Sequence, residues 1–478
     1  MQLVVVGCGY VGLVSGACFA EMGHDVVCVD NDAARIERLQ AGQIPIFEPG
    51  LTEMIGRGAA SGRLTFSAQI PPITDQIAAV FIAVGTPPRH DGGGADLSYV
   101  MAVAGEIAGK AQNKVLIVIK STVPAGTGDT VERLVLSVRP QLEVAVASNP
   151  EFLREGSALH DFMEPDRIVF GCDDRAALAV LNAIYLPITK FGIPVVATRR
   201  RASELIKYAA NAFLALKITF INEIADLCEA IDADIDDVAK GVGLDHRIGR
   251  AFLSAGPGYG GSCFPKDTAA LLATAQEWAV NLRLVETTMA VNDGRKRAMA
   301  RRVIARLGGD VQGKRIAMLG LTFKPDTDDM RDSPALPLVI ALQRAGATVS
   351  AYDPEGAEHA RTLLPNVRLT KDAYECALRA DCVVLATEWS EFTTLDFERL
   401  GSTMRTRLFV DLRNAVPAPT LTAAGFTVFG IGRTPRKPAS ALPDGKRVVA
   451  RLRRIAKPEL RTSGHAAVAA APNSPSHQ

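Results

Sequence analysis

The chain has 478 residues, 48% of them apolar and 22% charged, with a formal net charge of +1. That length allows two or three domains with substantial cores, and no apolar run approaches the ~20 residues a membrane span needs. Eight cysteines form no CxxC pair and no cluster with the seven histidines, so no metal site is expected and reduced thiols fit best.

Met1-Gln-Leu-Val-Val-Val-Gly7 has neither a basic region nor a cleavage site, so no signal peptide is expected and the cytoplasm is the expected location. Residues 2 to 6 read as a buried parallel strand, followed at once by Gly7-Cys-Gly-Tyr-Val-Gly12 and a helical run to about Met22. In that context Gly7 makes the turn, Gly9 lets backbone amides reach a pyrophosphate, and Gly12 lets the helix pack on the strand. Tyr10 and Val11 lie in the same turn. The second strand, Asp25-Val-Val-Cys-Val-Asp30, ends in an acid eighteen residues after Gly12. A carboxylate there accepts from the adenosine ribose hydroxyls and selects NAD over NADP. Arg35 is suited to reading a 2′-phosphate, but Asp30 would repel that group.

Further strands at 78–84, 115–119 and 144–147 lead into Thr86, into Thr122, and into Ser148-Asn-Pro-Glu-Phe-Leu-Arg-Glu155. Ligands of open α/β sheets gather beyond the carboxyl ends of the strands, which is where these residues fall. Each threonine either faces a ligand or caps the next helix. At least one of Glu151 and Glu155 is a candidate base or water-positioning group.

Residues 202 to 240 contain no Gly or Pro and are periodic at helical spacing, with Leu205, Ala209, Leu216, Phe220, Ile224 and Leu227 supplying apolar faces. Lys207, Asn211, Ile218 and Asn222 share one stripe. A helix this apolar is expected to be buried as a domain bridge or dimer core. Lys207 either snorkels to water or joins Asn211 as a donor to an oxyanion. Gly256-Pro-Gly-Tyr-Gly-Gly-Ser-Cys-Phe-Pro-Lys-Asp267 follows. Its glycines allow tight turns and close approach, Pro265 suits a first helical turn, and Cys263 falls just before that helix. The helix end and the Lys266 ammonium are both expected to favour the thiolate, which makes Cys263 a candidate nucleophile.

The second half repeats the first. Residues 314–320, 346–353 and 380–386 echo the strands at 2–7, 23–30 and 78–84, but Gly320-Leu-Thr-Phe-Lys-Pro325 replaces the glycine fingerprint. The expected fold is therefore α/β, with two Rossmann-like doubly wound domains joined by a long central helix. Phe323 and Lys324, at a strand end, suit a base or a phosphate; Arg331 lies in the next loop and Asp411-Leu-Arg413 ends a later strand. Residues 433 to 461 hold ten Lys/Arg against two acids, leaving residues 1 to 432 at −7, and a solvated extension is the favoured reading over an anionic partner.

These motifs together resemble the nucleotide-sugar 6-dehydrogenases, the UDP-glucose/GDP-mannose dehydrogenase family, over residues 1 to about 432. The marks are the glycine turn at 7–12, Asn149-Pro-Glu-Phe-Leu-Arg-Glu155, Lys207 with Asn211, Gly260-Gly-Ser-Cys-Phe-Pro-Lys-Asp267, and Phe323-Lys324. The resemblance implies four-electron oxidation of a primary alcohol to a carboxylate with two NAD, through a thiohemiacetal and thioester on Cys263. The wording Ser-Cys-Phe-Pro-Lys-Asp favours UDP-glucose as substrate over GDP-mannose or a UDP-N-acetyl sugar. A two-electron hydroxy-acid dehydrogenase and an NAD-sensing protein are the readings from other classes, and neither needs Cys263.

By resemblance Lys207 and Asn211 stabilise oxyanions, Asp267 with Thr122 holds a water, and Glu151 or Glu155 assists attack on the thioester. The NAD contacts carried over are Asp30, Arg35, Thr86, Thr122, Glu155, Lys266 and Arg331. The sugar-nucleotide contacts are Glu151, Phe152, Leu153, Arg154 and Glu155, then Phe252, Leu253, Ser254, Ala255, Gly256 and Gly260, with Phe323 and Lys324. Arg247 matches an arginine supplied by a neighbouring subunit, so a homodimer is expected, with no nucleic-acid partner. The expected divisions are an NAD-binding domain at 1–200, a central helical region at 201–295, a UDP-sugar domain at 296–432, and a basic tail at 433–478.

Overall fold

A computed structural model describes residues 1–89, 94–436 and 438. Most of the tail and the centre of the loop after Arg89 lie outside the described residues. The expected fold class is what the chain adopts. One sheet contains β1 (Gln2–Val6), β2 (Asp25–Val29), β3 (Leu64–Ser67), β4 (Ile77–Ile82), β5 (Lys114–Ile119), β6 (Glu143–Ser148), β7 (Ile168–Gly171) and β8 (Val195–Thr198). Its spatial order is β3-β2-β1-β4-β5-β6-β7-β8, parallel except where Ser148 meets Gly171 between β6 and β7.

The second sheet contains β9 (Arg315–Leu319), β10 (Thr348–Tyr352), β11 (Arg368–Leu369), β12 (Cys382–Leu385), β13 (Leu408–Asp411) and β14 (Thr427–Phe429). It is ordered β11-β10-β9-β12-β13-β14, the same winding as the first six strands of the other sheet. The internal repeat in the sequence is therefore a repeat of topology.

Continuous apolar runs follow from burial on both faces. Leu3 and Val5 of β1 pack on one side with Phe19 and Phe81, while Val4 and Val6 pack on the other with Val100 and Ile107. Strand ends then carry what the helical layers leave open.

The long helix differs from its expected form in two ways. It runs Arg200–Ile231 and stops at Asp232, which adopts a left-handed φ of 60°, while the Ala233 N–H donates to Cys228 O. Asp234 then caps a separate helix, Ile235–Gly243, by accepting from the Asp236 N–H. Asp tolerates the left-handed turn, so the chain breaks here without Gly or Pro. Nor is the helix buried all round. Its inward face mixes polar Ser203, Glu204, Lys207, Asn211, Thr219 and Asn222 with apolar residues such as Ala215, Ile221 and Ala225, whereas Leu205, Phe213, Phe220 and Leu227 face outward.

Arg433 to Arg436, expected within the tail, return to this region. Arg436 exchanges backbone hydrogen bonds with Val428, and the Thr434 hydroxyl donates to Asp232 at 2.5 Å.

Candidate active site

The turn after β1 is shaped by contact. Gly7 has φ 107°, and a Cβ there would lie 2.6 Å from Ala83 O; one on Gly12 would lie 1.7 Å from Gly7 O. Gly9 faces open space, with nothing within 4 Å of an added Cβ, so ligand can approach the start of helix Tyr10–Glu21. At the end of β2, Asp30 accepts from the N–H groups of Cys8 at 2.8 Å and Asp32 at 3.0 Å. Arg35 donates to the same carboxylate at 3.1 Å. An open amide cradle next to a strand-end carboxylate fits a dinucleotide with free ribose hydroxyls.

Neither threonine is a helix cap. The Thr86 hydroxyl donates to Thr122 O at 2.9 Å, and the helix after Thr122 starts at Thr127 behind Gly126. That helix is served from a distance by Glu204, which accepts from the Gly126 and Gly128 N–H groups at 2.6 and 2.8 Å.

Cys263 is the N-cap residue of helix Phe264–Glu277, with Pro265 in its first turn, as the sequence predicts. The loop before it is close-fitted. A Cβ on Gly260 would lie 2.3 Å from Asp332 O, and one on Gly261 would meet the Phe323 ring at 2.7 Å. Asn222 accepts from the Gly256 N–H at 2.8 Å, Arg295 donates to Gly256 O at 2.7 Å, and Asn292 holds both the N–H and C=O of Tyr259. Phe252 takes a left-handed φ of 64°, and its ring centre lies 6.0 Å from that of Phe264. Leu253 and Ala255 are buried, and Ser254 is exposed.

Around the sulfur the charges are paired and dry. Lys207 Nζ lies 3.0 Å from Glu151 Oε1. Asn211 Nδ2 donates to Asp267 at 2.6 Å, and Lys266 pairs with the other Asp267 oxygen at 2.5 Å. Lys207 therefore does not snorkel to water. Both expected oxyanion donors are held by carboxylates, and Lys207 also lies 5.4 Å from the Phe152 ring centre.

The expected thiolate is corrected by this surrounding. Burial, then Glu151, push the Cys263 thiol up; Lys207 opposes them and Asp267 adds to the rise. The Lys266 ammonium is turned to Asp267 instead. Burial also works to raise Glu151, but Lys207, the Leu153 N–H and Lys120 together hold its carboxyl below the usual range.

A second cluster joins the two halves. Glu155 accepts from Ser262 Oγ at 2.8 Å and Thr327 Oγ1 at 3.0 Å, with Arg331 at 3.7 Å, while Lys324 donates to its backbone oxygen. Burial and nearby Asp329 push the Glu155 carboxyl up. Ser262 Oγ lies 3.5 Å from Cys263 Sγ, so this cluster touches the nucleophile candidate's neighbour. Arg413 donates to Phe323 O at 2.7 Å and reaches within 3.6 Å of a Cβ built on Gly256.

Two expected contacts are not gathered in. Arg154 is bound to Asp161 at 2.6 Å, and Arg247 is paired with Asp245 at 2.6 Å with its side chain 78% exposed. Thr327, Asn292 and Arg295 have no role in the sequence reading, and Ser262 enters it only as part of the cysteine motif. Nothing local marks these contacts, since the partners are far away in the chain.

Three family models cover this architecture: the NAD binding domain of the UDP-glucose/GDP-mannose dehydrogenase family over residues 1–189, its central domain over 201–294, and its UDP binding domain over 317–418. The chain belongs to the UDP-glucose/GDP-mannose dehydrogenase family. Within that family it is 58% identical over 435 residues to a UDP-glucose 6-dehydrogenase of Rhizobium meliloti (strain 1021), covering 91% of this chain and 100% of the relative. It is 43% identical to a UDP-glucose 6-dehydrogenase of Pseudomonas aeruginosa, covering 91% and 98%. A solved UDP-glucose dehydrogenase of Pyrobaculum islandicum superposes with a TM-score of 0.82 at 39% identity, covering 91% and 98%. The family's NAD-binding and UDP-binding parts thus correspond to the two sheets, with the cysteine helix between them.

Proposed function

We propose that this chain oxidises the primary alcohol of UDP-glucose to the carboxylate, with two NAD reduced per sugar and Cys263 carrying the sugar between the oxidations. The observation that carries the reading is one buried cluster. Cys263, at a helix N-cap, feels the charges of Glu151, Lys207 and Asp267, and Asp267 in turn binds Asn211. A simple two-electron dehydrogenase has no use for that cysteine.

Gly7–Gly12 and Asp30 would hold NAD, which when bound would supply the hydride acceptor for each oxidation. Asp267 and Thr122 hold the water that takes the alcohol proton in the first oxidation. Cys263 then adds to the aldehyde carbon, and its thiol proton ends on the new hydroxyl of the thiohemiacetal. In the second oxidation the thiohemiacetal gives up its C–H hydride and passes its hydroxyl proton to the water held by Asp267 and Thr122, which leaves a thioester, with Lys207 and Asn211 beside the reacting oxygen. Water attacks the acyl carbon, Glu151 accepts its proton, and the sulfur departs and is reprotonated.

Glu151 is preferred over Glu155 for this role on two grounds. Its charge is felt by the Cys263 thiol, and Lys207 keeps it ionised, whereas Glu155 is raised and occupied by Ser262, Thr327 and Arg331. Glu155, Arg331 and Lys266 fit the dinucleotide side. Phe252–Gly256, Gly260, Phe323 and Lys324 fit the sugar nucleotide, and the divisions at 200, 295 and 432 follow from that assignment.

A homodimer is part of the reading, supported by the outward stripe of Leu205, Phe213, Phe220 and Leu227 on the long helix. So is a cytoplasmic location, supported by eight cysteines that are all free; no described helix is long and apolar enough to cross a membrane. The deciding experiment supplies a panel of nucleotide sugars and counts NADH per sugar. Two NADH from UDP-glucose, and loss of turnover in Cys263→Ser with binding retained, support the reading. Preference for GDP-mannose or a UDP-N-acetyl sugar, or one NADH per sugar, rejects it.

A further inference from the structure

Lys120 directly follows β5 and is 3% exposed. Its ammonium donates to Asn149 Oδ1 at 3.1 Å and to the Tyr185 hydroxyl at 3.3 Å, and lies 5.4 Å from the Phe162 ring centre. All three partners are neutral, and among the described residues no carboxylate pairs with it directly. An ammonium taken out of water without a paired carboxylate opposes folding, and a methionine would fill similar space without that penalty. The mechanism so far gives this cation no task.

Its surroundings supply one. Asn149 stands two residues before Glu151 and is fixed from two further sides: its amide donates to Val169 O at 3.0 Å, and Tyr185 donates to its oxygen at 2.6 Å. Cation, asparagine and tyrosine thus form a rigid block behind the Asn149-Pro-Glu151 turn. The charged and titratable groups that act on Lys120 are Glu151 from that turn, Lys207 from the long helix and Cys18 from helix Tyr10–Glu21. Glu151 is therefore acted on by two cations, Lys207 in contact and Lys120 through space. Burial lowers Lys120 to about 8, so its charge persists through neutral pH and wanes above.

We propose that Lys120 is a positioning residue for the reaction: anchored through Asn149 and Tyr185, its buried charge keeps the Glu151 carboxylate ionised behind Cys263, ready to accept a proton from water. The inference rests on the role given to Glu151 in the proposed function.

The test compares Lys120→Met, Lys120→Gln and Lys120→Arg with the unaltered enzyme, reading kcat from pH 8 down to 5.5. Gln keeps a donor for Asn149, so it serves if the Met variant fails to fold. Losing the cation raises the Glu151 carboxyl. The ratio of variant to unaltered kcat should then fall as the pH drops across that range for Met and Gln, and stay flat for Arg. A role in packing alone gives a ratio independent of pH, and that result overturns the inference. Glu151→Gln, run alongside, separates the two claims. If it retains steady-state turnover, the base assignment fails; if it is inactive and the Lys120 ratios are flat, only the inference about Lys120 fails.

Discussion

Lys207 Nζ and Glu151 Oε1 meet at 3.0 Å with side chains only 4% and 6% exposed, so each neutralises the other where water cannot. Removing one partner leaves the other as an unpaired buried charge, which destabilises by ~3–5 kcal/mol. Lys207→Met should therefore lower the denaturant midpoint as well as abolish turnover. Adding Glu151→Gln to it should restore part of the stability and none of the activity. An unchanged midpoint in the single variant would show that water reaches the pair.

Cys263 sets a second expectation. A thiol pushed up by burial and by Glu151 is neutral at pH 7, and its thiolate fraction grows as pH rises through a value above the ordinary ~8.5. Iodoacetamide should alkylate Cys263 slowly at neutral pH, with a rate still climbing beyond pH 9. Glu151→Gln removes a negative neighbour and should bring that midpoint down. A rate that levels off below pH 8 in the unaltered chain would contradict the buried, carboxylate-flanked thiol.

What the sequence made legible was whatever local chain order decides. Gly7 to Gly12, Asp30 and the Cys263 turn each declare their geometry within a dozen residues, and the repeated strands of the second half declared its topology. The pairings were not legible, because they join distant segments. Asn211 and Asp267 are 56 residues apart, Glu155 and Ser262 are 107 apart, and Glu155 and Thr327 are 172 apart. The thiolate expectation went wrong for the same reason. It counted the adjacent Lys266 and the helix end, but not the burial or the carboxylates brought in from Glu151 and Asp267. The helix break at Asp232 escaped because helix propensity is a weak guide when a single left-handed residue suffices to end the run.

Asp30 and Arg35 lead to a prediction about the cofactor. The guanidinium lies 3.1 Å from the carboxylate, so Arg35 is occupied by Asp30 and a 2′-phosphate would have to compete with that carboxylate for it. NAD should be used in strong preference to NADP. Asp30→Ala removes the proposed ribose acceptor and frees Arg35, so the NADP-to-NAD ratio of kcat/KM should rise by an order of magnitude or more, on the scale of ~1–3 kcal/mol for a charge-assisted hydrogen bond. Unchanged discrimination would place the selectivity elsewhere.

The last prediction concerns assembly. Phe213, Phe220 and Leu227 follow at seven-residue spacing on the long helix and are 63%, 49% and 53% exposed, an apolar seam that calls for a covering surface. Arg247 lies beyond the same helix and, among the described residues, is engaged only by Asp245, away from the cysteine cluster. If two long helices cover each other's seams, Arg247 is free to exchange Asp245 for the diphosphate of a sugar nucleotide bound to the neighbour. Phe220→Asp should then yield monomers by sedimentation, with activity falling in step with dissociation. Mixing decides whether the site itself is shared. Subunits carrying Arg247→Ala and subunits carrying Cys263→Ala, each inactive alone, should regain activity together, because one site of the mixed pair has both an intact cysteine and an intact arginine from its neighbour. If subunit exchange is verified and no activity returns, each protomer completes its own site and Arg247 acts only at the surface.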